Sequence, residues 1–212
     1  MQEIERIEKA IASAEAHISR LPSDIKQYLD GIKPDMSSKQ NRYFLSNLVQ
    51  ETDRYLEIGI FKGGTLLSAI YGKPNLKYYA VENFSQFKNY NAKNEVCDNF
   101  KKIMKKDLKL IEQDCFKINP LDYGIKDIDV YFYDGDHKYE DAKRALLHYY
   151  EAMNDTFIYI VDDWFFIEMR EGTFEAIKRL ELDILYHRGL FVEAKGDLNS
   201  WWYGLGVFWI KK

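Results

Sequence analysis

The stretch "RYLEIGIFKGGTL", residues 54–66, joins an apolar strand to a helix through a glycine-rich loop. The first six residues predict a strand, and "TLLSAI" after the loop predicts the start of a helix. Gly59, Gly63 and Gly64 allow the backbone to turn sharply and to approach a ligand closely. A strand, a tight loop and a helix in this order form the repeating unit of α/β proteins.

The loop does not carry a phosphate-binding motif. A dinucleotide fingerprint requires G-x-G-x-x-G, whereas this loop has G-x-x-x-G-G, and a P-loop requires Lys where Thr65 stands. Glu57, just before the loop, would repel a pyrophosphate but would suit a cationic group such as an ammonium or a sulfonium. A tight turn that binds no ligand is the alternative interpretation.

The same alternation of strands and helices continues along the chain. Near-continuous apolar strands separated by helices predict a mostly parallel sheet with helices on both faces, a doubly wound Rossmann-like α/β fold. The predicted strands are residues 54–59, 77–82, 108–114, 129–134 and 157–163, with a late hairpin of residues 183–187 and 206–211. The predicted helices between the strands are residues 86–106, 139–153 and 174–180.

The first 40 residues predict a helix and a connector ahead of a domain of residues 41–212. An apolar stripe with steps of three and four indicates an amphipathic helix, formed by Ile4, Ile7, Ile11, Ala14, Ile18 and Leu21. Residues 22–40 read as an irregular connector. We expect the helix to dock on its own domain. A homodimer contact or a lid over a site are the alternatives.

Composition narrows the class of protein. Thirty Lys and Arg against 34 Asp and Glu give a net charge of -4, which argues against a nucleic-acid partner. No apolar stretch is long enough to span a membrane, and the charged N-terminus lacks the apolar region of a signal peptide. Cys97 and Cys115 have no metal-ligand spacing. We therefore expect a cytoplasmic location and no membrane partner.

The carboxyl ends of all five leading strands are acidic. Ligands of open parallel sheets bind beyond these ends, where Glu57, Glu82, Asp114, Asp134 and the pair Asp162-Asp163 stand. A carboxylate at the position of Glu82 accepts hydrogen bonds from ribose hydroxyls in dinucleotide folds, and Asp114 could meet an adenine amino group. Together with the loop, these residues predict an adenosine ligand that carries positive rather than negative charge.

Four segments carry a resemblance to a known family. "LEIGIFKGGTL", "AVENF", "FYDGDHKYED" and "IVDDW" resemble class I S-adenosylmethionine-dependent methyltransferases. They are most similar to the branch of macrocin O-methyltransferase and related metal-dependent sugar O-methyltransferases. The resemblance covers about residues 43–164 and implies a seven-stranded sheet with an antiparallel last strand. In place of that branch's Pro-Gly-Gly turn before the fifth strand, Asn154-Asp155 is the turn signal.

The resemblance also implies which residues bind the cofactor S-adenosylmethionine. Glu82 would bind ribose, and Asp114 with Cys115 would flank adenine. The methionine end would be held by Glu57, Gly59, Gly63, Gly64 and Thr65. The predicted cofactor-binding set is completed by Phe61, Asn83 and Asp134.

The segment "DGDH" and the pair Asp162-Asp163 predict a metal site. Asp134 and the pair end consecutive strands that lie about 4.8 Å apart as neighbours in this fold. Three unpaired carboxylates this close would not all ionise, and Mg²⁺ with carboxylate and water ligands resolves the conflict. The resemblance implies the same ligands, Asp134, Asp162 and Asp163. Alternatively, Asp134 contacts only the cofactor and Asp136 caps the next helix.

These residues predict an O-methyltransferase that acts on a hydroxyl of a small molecule. Asp136 or His137 would take the proton from the hydroxyl, and we rank Asp136 first. A vicinal diol, sugar or catechol-like, is the expected acceptor. A metal-independent methyltransferase and a non-catalytic S-adenosylmethionine-binding protein are the alternatives. The aromatic residues at 164–166 and 201–203 could line an acceptor pocket, but we expect them in the core.

Overall fold

The computed structural model describes residues 1–33, 36–87, 90–191 and 196–212. Within these ranges seven strands form one sheet. They are β1 (Arg54–Ile58), β2 (Lys77–Val81), β3 (Leu110–Ile111), β4 (Ile128–Tyr133), β5 (Met153–Val161), β6 (Asp183–Leu190) and β7 (Leu205–Lys211). None of the helices in the described ranges is both long and apolar enough to cross a membrane.

The strand order β3-β2-β1-β4-β5-β7-β6 confirms the Rossmann-like prediction. Strands β1 to β5 pair in parallel, and β7 runs antiparallel between β5 and β6, which forms the expected late hairpin. The chain begins the sheet in the middle at β1, moves outward to β3, and then crosses back to β4. The order therefore reverses between β1 and β4, which is where open α/β sheets bind ligands.

Helices cover both faces of the sheet. In β4, Val130 and Phe132 join the core on one face, while Tyr131 and Tyr133 join the core on the other, as the period of two requires. The first face is covered by α1 (Gln2–Glu15), α3 (Lys39–Leu48), α4 (Gly64–Ile70) and α5 (Ala92–Met104), and the second by α6 (Tyr139–Tyr149) and α7 (Ile167–Arg179).

The N-terminal helix α1 docks on its own chain. Ile7 and Ile11 are buried in the core shared with α3. Arg6 donates to the carbonyl of Leu48 at 2.9 Å, and Glu8 accepts from Arg188 of β6 at 2.6 Å. The apolar stripe is thus buried mainly within the protomer. A homodimer through α1 stays a prediction, as does the domain division at residue 40.

Several predicted boundaries were wrong for local reasons. The connector expected at residues 22–40 contains α2 (Ser23–Asp30), whose Leu29 is buried, and α3 already begins at Lys39. Pro34 lies outside the described residues. The helix expected at residues 86–106 begins only at Ala92, after a short 3-10 turn, and ends at Met104 because Lys105 takes a left-handed conformation.

Three further elements differ in length. Strand β3 is only two residues long and pairs with β2 alone, at one edge of the sheet. Helix α7 begins at Ile167 rather than residue 174, and its Gly172 allows the backbone of Tyr139 to approach closely. The turn expected at Asn154-Asp155 lies inside β5, where the pairing with β4 shifts register.

At Gly59 the fold leaves no space for a side chain. Its φ is +84°, and a Cβ atom there would lie 1.7 Å from the carbonyl oxygen of Asp134. Its amide donates to the carbonyl of Val81 at 3.0 Å. Gly59 therefore lets the ends of β1, β2 and β4 come together. Gly72 has a similar φ of +75°, but nothing lies within 4 Å of its Cβ position.

We predict that Gly59→Ala lowers the free energy of unfolding by at least about 3 kcal/mol, because it adds a steric overlap to the cost of a left-handed alanine. Gly72→Ala carries only the conformational cost, about 1–2 kcal/mol. Urea denaturation of both variants measures the difference. Equal losses would show that the close approach to Asp134 is unimportant for stability.

Candidate active site

The carboxyl ends of the central strands open into one cavity of about 640 Å³. This volume is within the range of small-molecule sites. Five of the six predicted acidic strand-end residues line it, namely Glu82, Asp114, Asp134, Asp162 and Asp163. Other predicted residues in its wall are Gly59, Phe61, Asn83, Cys115, Asp136 and His137.

Backbone hydrogen bonds fix these acidic residues where the strands end. The amide of Glu82 donates to Ile111, that of Asp134 to Ile58 and that of Asp162 to Tyr133, at 2.9 to 3.1 Å. Each bond continues the sheet by one residue beyond its last paired position. The carboxylates are therefore carried by rigid backbone rather than by mobile loops.

The sixth acidic residue, Glu57, lies beneath the loop. Its side chain is fully buried and accepts hydrogen bonds from the hydroxyls of Thr65, at 2.6 Å, and Tyr55. Burial raises the pKa of Glu57 to about 7, although the hydrogen bonds from Thr65, Tyr55 and the Leu66 amide oppose the shift. Glu57 therefore holds the start of α4 in place.

The remaining loop residues, Gly63, Gly64 and Thr65, do not line the main cavity. Gly64 and Thr65 line a smaller cavity of about 30 Å³, which shares Gly59, Phe61 and Asp134 with the main one. Gly63, with a φ of +85°, precedes α4 as its N-cap and lines neither. The predicted methionine-binding residues are thus divided between the two cavities and the loop itself.

Glu82 connects two loops at the cavity wall. One carboxylate oxygen accepts from the amide of Phe61 at 3.2 Å, and the other accepts from the amide of Phe84 at 2.7 Å. Phe61 and Phe84 both have left-handed φ values, 44° and 54°, which cost energy for non-glycine residues. A carboxylate can accept about four hydrogen bonds, so Glu82 retains capacity for two ribose hydroxyls.

Asn83, Asp114 and Cys115 form the next part of the wall. Asn83 Oδ1 accepts from the amide of Ser85 at 2.8 Å, and Asp114 Oδ1 accepts from the amide of Phe116 at 3.0 Å. Burial, and then the charge of Asp114, raises the pKa of Cys115 to about 12. The thiol is therefore neutral at physiological pH and offers a soft surface suited to a flat base such as adenine.

Asp134, Asp162 and Asp163 form an acidic cluster at the ends of β4 and β5. Burial and then the neighbouring carboxylates raise the pKa of both Asp134 and Asp162, which share a hydrogen bond. Asp162 is only 3% exposed, and its Oδ1 has no hydrogen-bond partner among the described residues. Asp163 has a left-handed φ of 54°, a strained conformation typical of functional sites.

The residues present fit a divalent cation. Buried carboxylates with a partnerless oxygen are stabilised by a cation, and carboxylate oxygens are the ligands that hard cations prefer. A carboxylate oxygen of Asp134, a ring nitrogen of His137 and a carboxylate oxygen of Asp163 all lie within 4.8 Å of one another. Two of the three predicted metal ligands, Asp134 and Asp163, thus belong to this donor group together with His137, whereas Asp162 is not part of it.

Asp136 and His137 lie at the mouth of the cavity. Asp136 Oδ2 accepts from Lys138 Nζ at 2.6 Å, and this bond lowers the pKa of Asp136. His137 Nε2 lies 2.6 Å from Asp163 Oδ2. Burial acts to lower the pKa of His137, but Asp163 outweighs burial and the pKa is raised. The N-cap of α6 is Lys138, and the amide that donates to Asp136 Oδ1 is that of His137, which precedes the helix. Asp136 therefore does not cap α6.

The aromatic residues divide between the core and the site. Trp164 and Trp201 are buried in the core, as expected, whereas Phe166, Trp202 and Tyr203 line the cavity. Phe166 stacks on Tyr203 at 5.7 Å between ring centroids. Position alone could have indicated Gln113, which directly precedes Asp114. Met36 also lines the cavity, but it comes from a connector that carries no sequence signal.

A central sheet of this order, a glycine loop after β1 and acidic residues after β2 to β5 define a class I methyltransferase. The chain belongs to the methyltransferase domain family, which matches residues 56–164, more than half of its length. It is an S-adenosylmethionine-dependent methyltransferase. A search of curated proteins finds no match.

Solved structures share the fold at low sequence identity. The O-methyltransferase from Bacillus cereus in complex with SAH has a TM-score of 0.64 and 12% identity, over 97% of this chain and 100% of that chain. The SAH-bound Podospora anserina methyltransferase has a TM-score of 0.59 and 17% identity, over 96% and 94%. The precorrin-6y C5,15-methyltransferase from Geobacter metallireducens has a TM-score of 0.60 and 14% identity, over 85% of this chain and 92% of that chain.

We predict that Glu82→Gln weakens binding of SAH, the demethylated form of the cofactor, by about ten- to a hundredfold. The change removes charge-assisted hydrogen bonds of about 1.5–3 kcal/mol while keeping the side-chain shape. Isothermal titration calorimetry measures the affinity, with Glu151→Gln, at an exposed site on 3-10 turn 150–152, as the control. Equal affinities of the two variants would exclude Glu82 as a cofactor ligand.

Proposed function

We propose that this methyltransferase transfers the methyl group to a hydroxyl of a small molecule and that it requires a divalent cation. The observation that carries the proposal is the acidic cluster with the partnerless Asp162 oxygen, in the same cavity as Glu82 and the glycine loop. The sequence resemblance to the macrocin O-methyltransferase branch supports the same reading. On this proposal Mg²⁺ or a similar ion is held by Asp134, Asp162 and Asp163.

The chain's own residues then supply the remaining chemistry. A bound divalent cation lowers the pKa of an acceptor hydroxyl, so a modest base suffices. We assign that base to Asp136, which lines the cavity two residues beyond Asp134. Lys138 keeps the Asp136 carboxylate ionised. Gly59 and Phe61 shape the wall where the methyl donor lies, and holding the two reactants in line supplies much of the acceleration.

The shape of the cavity supports a small acceptor. A cavity of about 640 Å³ is large enough to hold the cofactor together with a small-molecule substrate. Phe166, Trp202 and Tyr203 offer flat apolar surfaces beside the acidic cluster. A vicinal diol, with one face on these rings and its oxygens toward the carboxylates, fits both features.

Two alternative functions differ in what the cluster does. In a metal-independent methyltransferase, Asp134 and Asp162 would stay protonated and hydrogen-bonded to each other. In a non-catalytic protein, S-adenosylmethionine would bind without turnover. Asp136, which lines the cavity close to Asp134, is the candidate base that a catalyst needs and a binding protein does not.

The function is tested with isotope-labelled S-adenosylmethionine and a panel of sugars and catechols. We expect methyl transfer that stops after treatment with a strong chelator and returns when a divalent cation is added. Asp162→Asn should raise the cation concentration needed for half-maximal turnover by at least tenfold, because it removes one charged ligand. Transfer that a chelator leaves unchanged would exclude the metal, and absence of transfer to every diol would exclude the proposed acceptor class.

We predict that Asp136→Asn lowers turnover by about 10²–10⁴-fold at saturating cofactor and cation, since the amide keeps the shape but cannot accept the proton. Affinity for SAH should stay within about twofold, because removal of a base acts on the transition state alone. Asp122→Asn, in the 3-10 turn Pro120–Tyr123, is the control. Wild-type turnover in Asp136→Asn would transfer the role of base to another group.

A further inference from the structure

His137 adds a nitrogen donor to the acidic cluster. Its Nε2 lies 2.6 Å from Asp163 Oδ2, and one donor atom of Asp134 lies within 4.8 Å of both residues' donors. The sequence predicts this histidine only as a candidate base. Its ring instead lines the cavity on the side of the carboxylates.

We propose that His137 is a metal ligand and that the site therefore prefers a first-row transition ion, such as Mn²⁺, Fe²⁺ or Co²⁺, over Mg²⁺. This inference rests on the metal site of the proposed function and adds the class of ion that the site takes. It also leaves Asp136 as the group available for the proton.

The distances suit one ion. Ligand oxygens and imidazole nitrogens lie about 2.0–2.2 Å from such ions, so two donors on one ion are at most about 4.4 Å apart. The observed limit of 4.8 Å between Asp134, His137 and Asp163 needs an adjustment of a few tenths of an ångström.

The imidazole is already oriented for this role. Its ring lies nearly parallel to Phe166, with an interplanar angle of 9° and centroids 6.4 Å apart. The amide of His137 donates to Asp136 Oδ1 at 2.8 Å, which restrains the backbone. Asp163 faces His137 from β5's end with its carboxylate only 6% exposed. A cation between these two side chains would replace their direct contact.

A second observation points independently to a cation. Asp162 is 3% exposed and lines the same cavity, and its Oδ1 has no hydrogen-bond partner within the described part of the chain. A buried oxygen without a partner costs free energy that a nearby cation recovers. The cluster thus offers a nitrogen and several oxygens to one ion.

The donor set decides which ion is preferred. Mg²⁺ favours oxygen ligands and water, whereas imidazole suits later first-row ions, whose affinity rises from Mn²⁺ through Fe²⁺ to Co²⁺. A site of two or three carboxylates alone would not discriminate strongly against Mg²⁺. Replacing one water by His137 shifts the preference toward the transition metals.

The test is pulsed electron paramagnetic resonance of Mn²⁺ bound to the intact protein with SAH. We expect a ¹⁴N coupling from a directly bound imidazole in the wild type and its loss in His137→Phe, which keeps a ring against Phe166. In parallel, calorimetry should show Co²⁺ binding weakened more than about tenfold in His137→Phe while Mg²⁺ binding changes less than threefold. His187→Phe is the matched control, because His187 is an exposed residue of β6 that stacks on Phe208 and does not line the cavity.

Mn²⁺ bound without a ¹⁴N coupling would overturn this inference and leave the metal site of the proposed function intact. Equal Co²⁺ affinity in the wild type and His137→Phe would overturn it as well. If neither Mn²⁺ nor Mg²⁺ binds and methyl transfer persists in chelator, both this inference and the proposed metal requirement fail. Circular dichroism of His137→Phe separates loss of a ligand from loss of the fold.

Discussion

The structure depends on one electrostatic constraint, the crowding of carboxylates at one edge of the sheet. Seven acidic residues of the described chain line a single cavity, five of them at strand ends, and Glu57 is buried beneath its loop. Burial raises the pKa of Glu57, Asp134 and Asp162, so each of these charges is costly without compensation. Backbone amides donate hydrogen bonds to the carboxylates of Glu82 and Asp114, and hydroxyls donate to Glu57. At the acidic cluster, on our proposal, a cation stabilises the carboxylates.

The backbone around this edge is held in unfavourable conformations by its neighbours. Phe61, Phe84 and Asp163 all have left-handed φ values, and all three adjoin the cavity or its loops. Glu82 connects two of these residues by accepting both of their amides. Because one carboxylate bonds both loops, the conformations of the loop at Phe61 and the loop at Phe84 depend on each other. Glu82 therefore both stabilises the loops and lines the cavity at this edge of the sheet.

Much of this arrangement could be predicted from the sequence, because it depends on strand ends and glycines. Apolar strands fix the sheet, and the residue after each strand must lie at its edge, which placed Glu82, Asp134 and Asp162 correctly at one edge. Side-chain direction could not be predicted. Glu57 points beneath the loop because Thr65 and Tyr55 offer it hydroxyls, and only tertiary packing brings these together. The register shift between β4 and β5 likewise depends on strand pairing, whereas Asn154 and Asp155 taken alone indicated a turn.

The claim that a cation stabilises the clustered carboxylates is tested most directly by a crystal structure of the protein grown with SAH and Mn²⁺. Anomalous scattering would locate the metal. The account predicts one anomalous peak within about 2.3 Å of oxygens from Asp134 and Asp163, beside the donor site, and loss of the hydrogen bond between Asp134 and Asp162. A crystal with SAH fully bound, no anomalous peak, and that hydrogen bond retained would contradict it. The carboxylates would then be compensated by protons alone.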